Sequence, residues 1–257
     1  MAKTIAIVNQ KGGVGKTTTC VNLAAALTAL GARVLVCDFD PQGNATSGFG
    51  LDKTRSPGIY EVILGGAPIQ KAVASTKWAD VLPANKALSG ATVELIGLDR
   101  REYRLRDALE ELRESYDFIF IDCPPSLELL TLDALCAADT LLVPVQCEYY
   151  ALEGLSDLLY TVRLAKRKLN PGLEMEGVVL TMYDGRTNLS LQVAEEVKRH
   201  FPGKVYASVI PRNVRLSEAP SHGMPATAYD PLSRGTEAYQ TLAEEFLRKN
   251  PIGQEVK

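Results

Sequence analysis

The sequence predicts an α/β fold: a single three-layer domain with a mostly parallel, twisted sheet and helices on both faces. Three observations carry this. Runs rich in Val and Ile alternate with stretches of helical period, the connections between them are short, and the strand-like runs are apolar at nearly every position. The last matters most: a strand covered on one face alternates apolar and polar residues, whereas one covered on both faces does not. A length of 257 residues sits at the upper end of what one compact domain occupies.

Residues 4–8 read as the first strand. A glycine-rich loop follows and opens an apolar helix over 16–30, with Gly31 suited to cap its C-terminus. Residues 33–39 form the second strand. Residues 41–98 carry scattered Gly, Pro and Ser and read as mixed, partly mobile structure with one short strand around 78–82. A helix over 100–115 leads to a strand at 117–122, a helix at 127–137 and a strand at 140–145. A long helix over 152–169 is stopped by Asn170-Pro171-Gly172 and followed by a strand at 177–182. A helix at 189–201, a strand at 204–210 and a helix at 236–249 complete the pattern. Residues 1–250 are thus expected as one domain, with 251–257 a polar, frayed tail.

Net charge is −3, from 28 Lys and Arg against 31 Asp and Glu, which argues against a nucleic-acid partner. The distribution is uneven, however. Between Tyr160 and His222 ten Lys or Arg meet six Asp or Glu, a local +4 that leaves −7 elsewhere, so a basic footprint can exist on an acidic protein. A hydrophobic share of 46% and a charged share of 23% exclude disordered and fibrous classes. No apolar run approaches the roughly 20 residues that span a bilayer. Met1-Ala2-Lys3 runs straight into the first strand with no secretory leader and no myristoylation glycine, so a soluble cytoplasmic protein is expected. Cys20, Cys37, Cys123, Cys136 and Cys147 form no CxxC pair and only 2 His accompany them; they are expected as buried small apolar residues.

The chemistry gathers in three places. Lys11-Gly12-Gly13-Val14-Gly15-Lys16-Thr17 joins the first strand to the first helix. Glycines there let the backbone wrap so that successive N–H groups point at phosphate oxygens, and the helix N-terminus adds partial positive charge. Lys16 then reaches the β- and γ-phosphates, and the Thr17 hydroxyl sits on Mg²⁺. The loop is a variant, because Gln10 stands where the strict pattern has Gly and Lys11 supplies a second lysine. Asp38 and Asp40 end the second strand, and Asp122 ends the strand at 117–122. The carboxyl ends of parallel strands share one edge, so the three acids are expected to converge on the loop, offering a magnesium environment and a group that positions water.

These segments, with Thr18 closing the loop, resemble the deviant Walker A group of P-loop NTPases. Pro211-Arg212-Asn213-Val214-Arg215-Leu216-Ser217-Glu218-Ala219-Pro220-Ser221 narrows the resemblance to the ParA/Soj partition ATPases. Gln146-Cys147-Glu148-Tyr149-Tyr150-Ala151-Leu152-Glu153-Gly154 is similar to their chromosomal Soj branch. The resemblance implies a slow ATPase that needs ATP and Mg²⁺ and is stimulated by dimerisation, DNA and a partner protein. It implies that Lys11, Gly12, Gly13, Val14, Gly15, Lys16, Thr17 and Thr18 bind ATP, and that Lys11, Lys16 and Asp40 are catalytic. Lys11 would cross to the partner's phosphates in a homodimer formed in the ATP state, with Gly12 where the subunits approach, and Asp40 would orient the attacking water. Thr17 would bind Mg²⁺ directly with Asp38 and Asp122 around it, Pro211 and Asn213 would hold the adenine, and Arg186 and Arg215 would contact double-stranded DNA non-specifically. A ParB/Spo0J-type partner, a nucleoid-associated location, chromosome or plasmid partition, and control of replication initiation or sporulation complete what the resemblance implies. A lysine acting in trans would work as an arginine finger does, worth roughly 10³–10⁵ in rate or about 4–7 kcal/mol of barrier.

The alternative is a membrane-cycling ATPase like MinD, with an amphipathic C-terminal helix. The last helix does carry an apolar stripe, Tyr239, Leu242, Ala243 and Phe246. Its polar side mixes Glu237, Glu244 and Glu245 with Arg248 and Lys249, which does not suit anionic lipid, so core packing and no membrane contact are expected. A cluster-carrying relative would need Cys123 and Cys136 as ligands, and a ligase on the same scaffold is disfavoured by Lys11.

Overall fold

The computed structural model describes residues 1–148 and 151–253. Among the described residues the strands are β1 (Lys3–Ile7), β2 (Val34–Asp38), β3 (Ala74–Ser75), β4 (Asp80–Leu82), β5 (Phe118–Asp122), β6 (Thr140–Gln146) and β7 (Glu174–Thr181). They form one sheet in the order β3-β4-β2-β5-β1-β6-β7. All neighbouring pairs are parallel except β3 with β4. The chain therefore adopts the expected single α/β domain.

Side chains along the central strands alternate between two cores. Ile5, Ile7, Val34, Val36, Phe118 and Phe120 face one core, under helix α1 (Lys16–Ala29) and the last helix, Arg234–Lys249. Ala6, Leu35, Cys37, Ile119 and Ile121 face the other, under the helices Arg104–Glu110, Leu129–Ala137 and Ala151–Lys168. Every one of these strand residues is buried, which is why the strands read as unbroken apolar runs. Phe246 meets Phe118 edge-on at 5.1 Å between ring centroids and Phe120 at 5.8 Å. Tyr239, Leu242, Ala243 and Phe246 are all buried, so the apolar stripe is core, as expected. Among the described residues no helix is long and apolar enough to cross a membrane. Gly31 takes φ +92° after α1, and the Ala32 N–H returns to the Leu27 carbonyl at 3.1 Å, the C-terminal closure that its position predicts.

Two elements differ from expectation. Residues 204–210 do not form a strand. The segment runs beside β7, with Val178 N–H bonded to the Lys204 carbonyl and Tyr206 N–H to the Val178 carbonyl, but it makes only an isolated bridge there. The N–H groups of Ala207 and Ser208 instead donate to the Glu245 carboxylate of the last helix, at 2.9 Å each. Ser208 N–H, the next donor that a ladder to β7 would use, thus goes to a side chain, and contact with β7 resumes only where Ile210 N–H bonds the Leu180 carbonyl at 2.8 Å. The expected helix over 100–115 is a 3₁₀ turn at Arg101–Tyr103 and a helix at Arg104–Glu110. Beyond it the Glu111, Leu112, Arg113 and Ser115 N–H groups close tighter i→i+3 turns. Residues 41–98 contain the helices Asn44–Gly48, Ile59–Ile63, Ile69–Ala72 and Leu88–Leu95 around β3 and β4, and β4 is the short strand expected there. Residues 254–257 of the expected tail, and Tyr149 and Tyr150 of the Soj-like segment, lie outside the described residues.

Candidate active site

β1 lies between β5 and β6, and the loop after it opens α1 at the carboxyl edge of the sheet. Gly13 and Gly15 adopt φ of +76° and +90°, a region that a side chain makes costly. α1 begins directly after Gly15 with no side-chain cap and no acid in its first turn. Its first N–H groups and the positive end of its dipole are therefore left for an anion. Lys16 is buried and its Nζ arches back to donate to the Lys11 carbonyl at 3.0 Å. Burial draws the Lys16 ammonium below the usual lysine range, opposed by the charges of Asp122, Cys123 and Asp40. Two side chains brace the loop from below. Asn9 donates to the Pro144 carbonyl at 2.8 Å and accepts the Lys11 N–H at 3.0 Å. Thr181, at the end of β7, donates its hydroxyl to the Val14 carbonyl at 2.8 Å.

The structure brings the three acids together. Asp38 and Asp122 stand opposite each other in the β2–β5 register, both fully buried, and Asp40 follows two residues on, also buried. Asp38 Oδ2 accepts the N–H and the hydroxyl of Thr46 at 2.7 Å each, and Oδ1 accepts the Asp40 N–H at 3.3 Å. The Thr46 hydroxyl accepts in turn from the Ala84 N–H at 3.0 Å, which ties Asp38 to the segment after β4. Burial pushes the Asp38 carboxyl up to about 6, with the Thr46 bonds opposing the rise.

Asp122 is held differently. Neither of its carboxylate oxygens has a partner at hydrogen-bonding geometry, though the Thr17 hydroxyl is near enough to favour the charged form. Burial and then the charge of Asp38 push its carboxyl well above the usual range. A buried carboxylate without donors is costly, and a cation removes that cost. Mg²⁺ fits the donor set, since Thr17, Asp38 and Asp122 present only oxygen and the ion keeps water and phosphate oxygens as further ligands. Among the described residues no group of three or more His, Cys, Asp or Glu is arranged to hold a metal by itself. The five cysteines are free and buried as expected; burial pushes the Cys136 thiol up to about 12, far from a thiolate ligand.

Pro211 and Asn213 line a pocket of about 150 Å³ that also touches Gly15, Thr181, Met182 and Tyr239. Asn213 caps the helix Val214–Glu218 by accepting the Arg215 N–H at 2.9 Å. Met182 stands at φ +50°, a left-handed conformation at the pocket wall. Thr181, Met182 and Tyr239 are residues that sequence reasoning missed at this site. The usable signal was positional: Thr181 and Met182 stand at the carboxyl end of a parallel strand, where ligands bind. A larger cavity of about 610 Å³ lies at the far end of α1 against Leu30 and Trp78, away from these groups.

The remaining candidates point outward. Gly12 is exposed, and Lys11 is ion-paired with Glu148, just past β6. Arg186 pairs with Asp184 at 2.7 Å, and Arg215 with Glu218 at 2.8 Å and Asp230 at 3.1 Å. The Arg186 guanidinium holds the Asp184 carboxyl down at about 2. Both arginines are exposed but already partnered within the chain.

An open glycine loop on an uncapped helix, a buried lysine over it and three carboxylates at the same sheet edge define a P-loop nucleotide-binding domain of the α/β class. Residues 2–175 match the family described as the AAA domain. The chain is 58% identical over 248 residues to the sporulation initiation inhibitor protein Soj of Bacillus subtilis (strain 168), spanning 95% of this chain and 98% of that protein. It is 53% identical over 253 residues to the chromosome partitioning protein ParA of Myxococcus xanthus (strain DK1622), spanning 97% and 89%. Among solved structures, cobyrinic acid a,c-diamide synthase from Mycobacterium smegmatis with bound ADP and magnesium matches with a TM-score of 0.86 at 38% identity, covering 99% of this chain and 98% of that one. The chain belongs to the ParA/Soj family of partition ATPases.

Proposed function

We propose that this chain is an ATP-dependent dimerising switch that binds DNA non-specifically and partitions chromosomes or plasmids with a ParB/Spo0J-type partner. The observation that carries the reading is the donorless Asp122 carboxylate beside Thr17 at the uncapped start of α1. One spot there offers oxygen to a cation and N–H groups to an anion, the two things that MgATP brings.

The N–H groups from Gly12 to Thr18 bind the phosphates, and Lys16 leaves the Lys11 carbonyl to join them. Mg²⁺, when bound, would supply neutralisation of phosphate charge. Thr17, Asp122 and Asp38 would hold it. Asp40 Oδ1 accepts the Gln42 N–H at 2.9 Å, which fixes the carboxylate so that its other oxygen orients the attacking water. Pro211 and Asn213 hold the adenine in the adjoining pocket. Lys11 leaves Glu148 for the phosphates of the partner subunit, close to Gly12, so the pocket is complete only in the pair and hydrolysis is tied to dimerisation.

Arg186 and Arg215, doubled by the two-fold axis, give the dimer four cations for the phosphate backbone of double-stranded DNA. Contacts of this kind go to the backbone and carry no sequence information, which supports non-specific binding, and the names of the partitioning relatives support a place at the nucleoid in the cytoplasm. The names of the Soj and ParA relatives support the partition reading, and the Soj name supports a link to sporulation. A MinD-like membrane cycle is disfavoured because the apolar stripe of the last helix is already spent on the core.

The test is light scattering and DNA retention of Asp40→Ala, first with ADP and then with ATP. Dimers in ATP only, with salt-sensitive DNA binding, support the scheme; monomers in ATP, or DNA binding indifferent to nucleotide, overturn it.

A further inference from the structure

Thr181 closes β7 at the carboxyl edge, buried, with its backbone carbonyl accepting the Cys147 N–H at 3.1 Å. The strand pairing thus holds its main chain, and its side chain serves the loop: the hydroxyl donates to the Val14 carbonyl at 2.8 Å. Val14 is buried, so without that hydroxyl its carbonyl would lose a partner in a place that water does not reach.

The geometry of the peptide unit gives this bond a consequence. A trans peptide is planar, with its C=O and N–H pointing in opposite directions. Drawing the Val14 carbonyl toward β7 therefore turns the Gly15 N–H away from β7. Gly15, at φ +90°, has no side chain to resist rotation of that peptide. Thr181 also lines the pocket that contains Pro211 and Asn213, and its methyl group lies 3.7 Å from where a Cβ on Gly15 would be. It stands between the base pocket and the phosphate loop.

We propose that Thr181 is a positioning residue: its hydroxyl sets the Val14–Gly15 peptide so that the Gly15 N–H faces the phosphates of a bound nucleotide. The inference rests on the nucleotide-binding reading above and deepens it. It predicts that Thr181→Val, which keeps the shape and removes the hydroxyl, weakens MgADP binding about tenfold and raises KM for ATP by a similar factor. kcat at saturating ATP should stay within about twofold, because the reacting groups are untouched. Thr181→Ser, which keeps the hydroxyl and drops the methyl group, should restore the affinity.

Calorimetry of MgADP binding with the wild type and both variants, alongside steady-state ATP hydrolysis, makes the comparison. Should Thr181→Val not fold, Thr181→Ala against Thr181→Ser tests the same hydroxyl. Unchanged affinity in the hydroxyl-free variant overturns the inference. So does equal loss in Thr181→Ser, which would assign the effect to methyl packing, and so does a fall in kcat with KM unmoved. Failure of the wild type to bind MgADP would instead overturn the nucleotide reading itself.

Discussion

The ammonium of Lys11 rests on the carboxylate of Glu148 in the same chain, so the second lysine of the glycine-rich loop is neutralised in the lone subunit. Both side chains are about a third exposed, and a pair of that kind is worth at most about 1 kcal/mol. That is enough to direct the lysine and too little to keep it from a triphosphate. Glu148→Gln should therefore lower the protein concentration at which ATP produces dimers by about two- to fivefold, by light scattering. Lys11→Ala should bind ADP yet lose hydrolysis. Weaker dimerisation of Glu148→Gln would mean that Glu148 serves the pair rather than restraining it.

A second prediction concerns pH. Asp133, on the helix Leu129–Ala137, is fully buried; Oδ1 accepts the Leu105 N–H at 3.3 Å and Oδ2 has no partner. Burial pushes its carboxyl up to about 8; Glu102 and Asp107 add to the rise and Arg104 opposes it. The folded state then holds a proton that the unfolded state releases near its ordinary value. Its contribution to stability is full below about pH 4 and is lost as pH rises toward about 8. Asp133→Asn should remove that slope. Thermal melting should show the variant gaining on the wild type between pH 5 and pH 8, with about 2–4 °C for each kcal/mol. Parallel melting curves across that range would show that Asp133 does not titrate there.

The sheet and the turn of the glycine-rich loop were legible because each rests on local sequence. Buried parallel strands must be apolar on both faces, and glycines between a strand and a helix supply the positive φ angles that the tight turn into α1 needs. Asp38, Asp40 and Asp122 were legible because parallel strands bring their ends to one edge. What stayed hidden depended on partners far away in the chain. The strand expected at 204–210 is interrupted where Glu245 takes the Ala207 and Ser208 N–H groups. The roles of Thr181 and Thr46 rest on bonds to Val14 and to Asp38 and Ala84 that no spacing announces. Arg186 and Arg215 have Asp184 and Glu218 within three residues, so those two pairs were open to a reading of the sequence; the contact of Arg215 with Asp230 was not.

Gly235 offers a test, from behind, of the pocket proposed for adenine. It is buried in the first turn of the last helix, and a Cβ there would lie 2.7 Å from Leu216 Cγ and 3.1 Å from Asn213 Cγ. Helix propensity alone favours Gly→Ala by about 1 kcal/mol. Overpacking against two branched side chains costs about 1–3 kcal/mol and shifts Asn213 at the pocket wall. Gly235→Ala should therefore melt lower than the wild type and bind MgADP more weakly. A variant that melts higher with unchanged affinity would show that Asn213 and Leu216 have room to move.

The proposed DNA contact should reveal itself through salt. Arg215 lies on the short helix that Asn213 caps, so the proposed base contact and the proposed DNA contact are two residues apart. Arg215 is bound to Glu218 and Asp230, and Arg186 to Asp184, so DNA phosphates must displace carboxylates to reach either cation. Exposed pairs of this kind yield readily, because they are worth at most about 1 kcal/mol. A dimer neutralising about four to six phosphates should show a log–log salt slope near −4 to −5. Arg215→Glu removes one such contact from each subunit and leaves a carboxylate in its place. It should abolish DNA retention at moderate salt, while light scattering still reports the ATP dimer. Arg215→Ala should bind weakly with a slope flatter by about 2. Loss of the dimer together with DNA binding would place Arg215 in subunit pairing instead, and a slope unchanged in Arg215→Ala would move the DNA contact to other cations of the basic stretch between Tyr160 and His222.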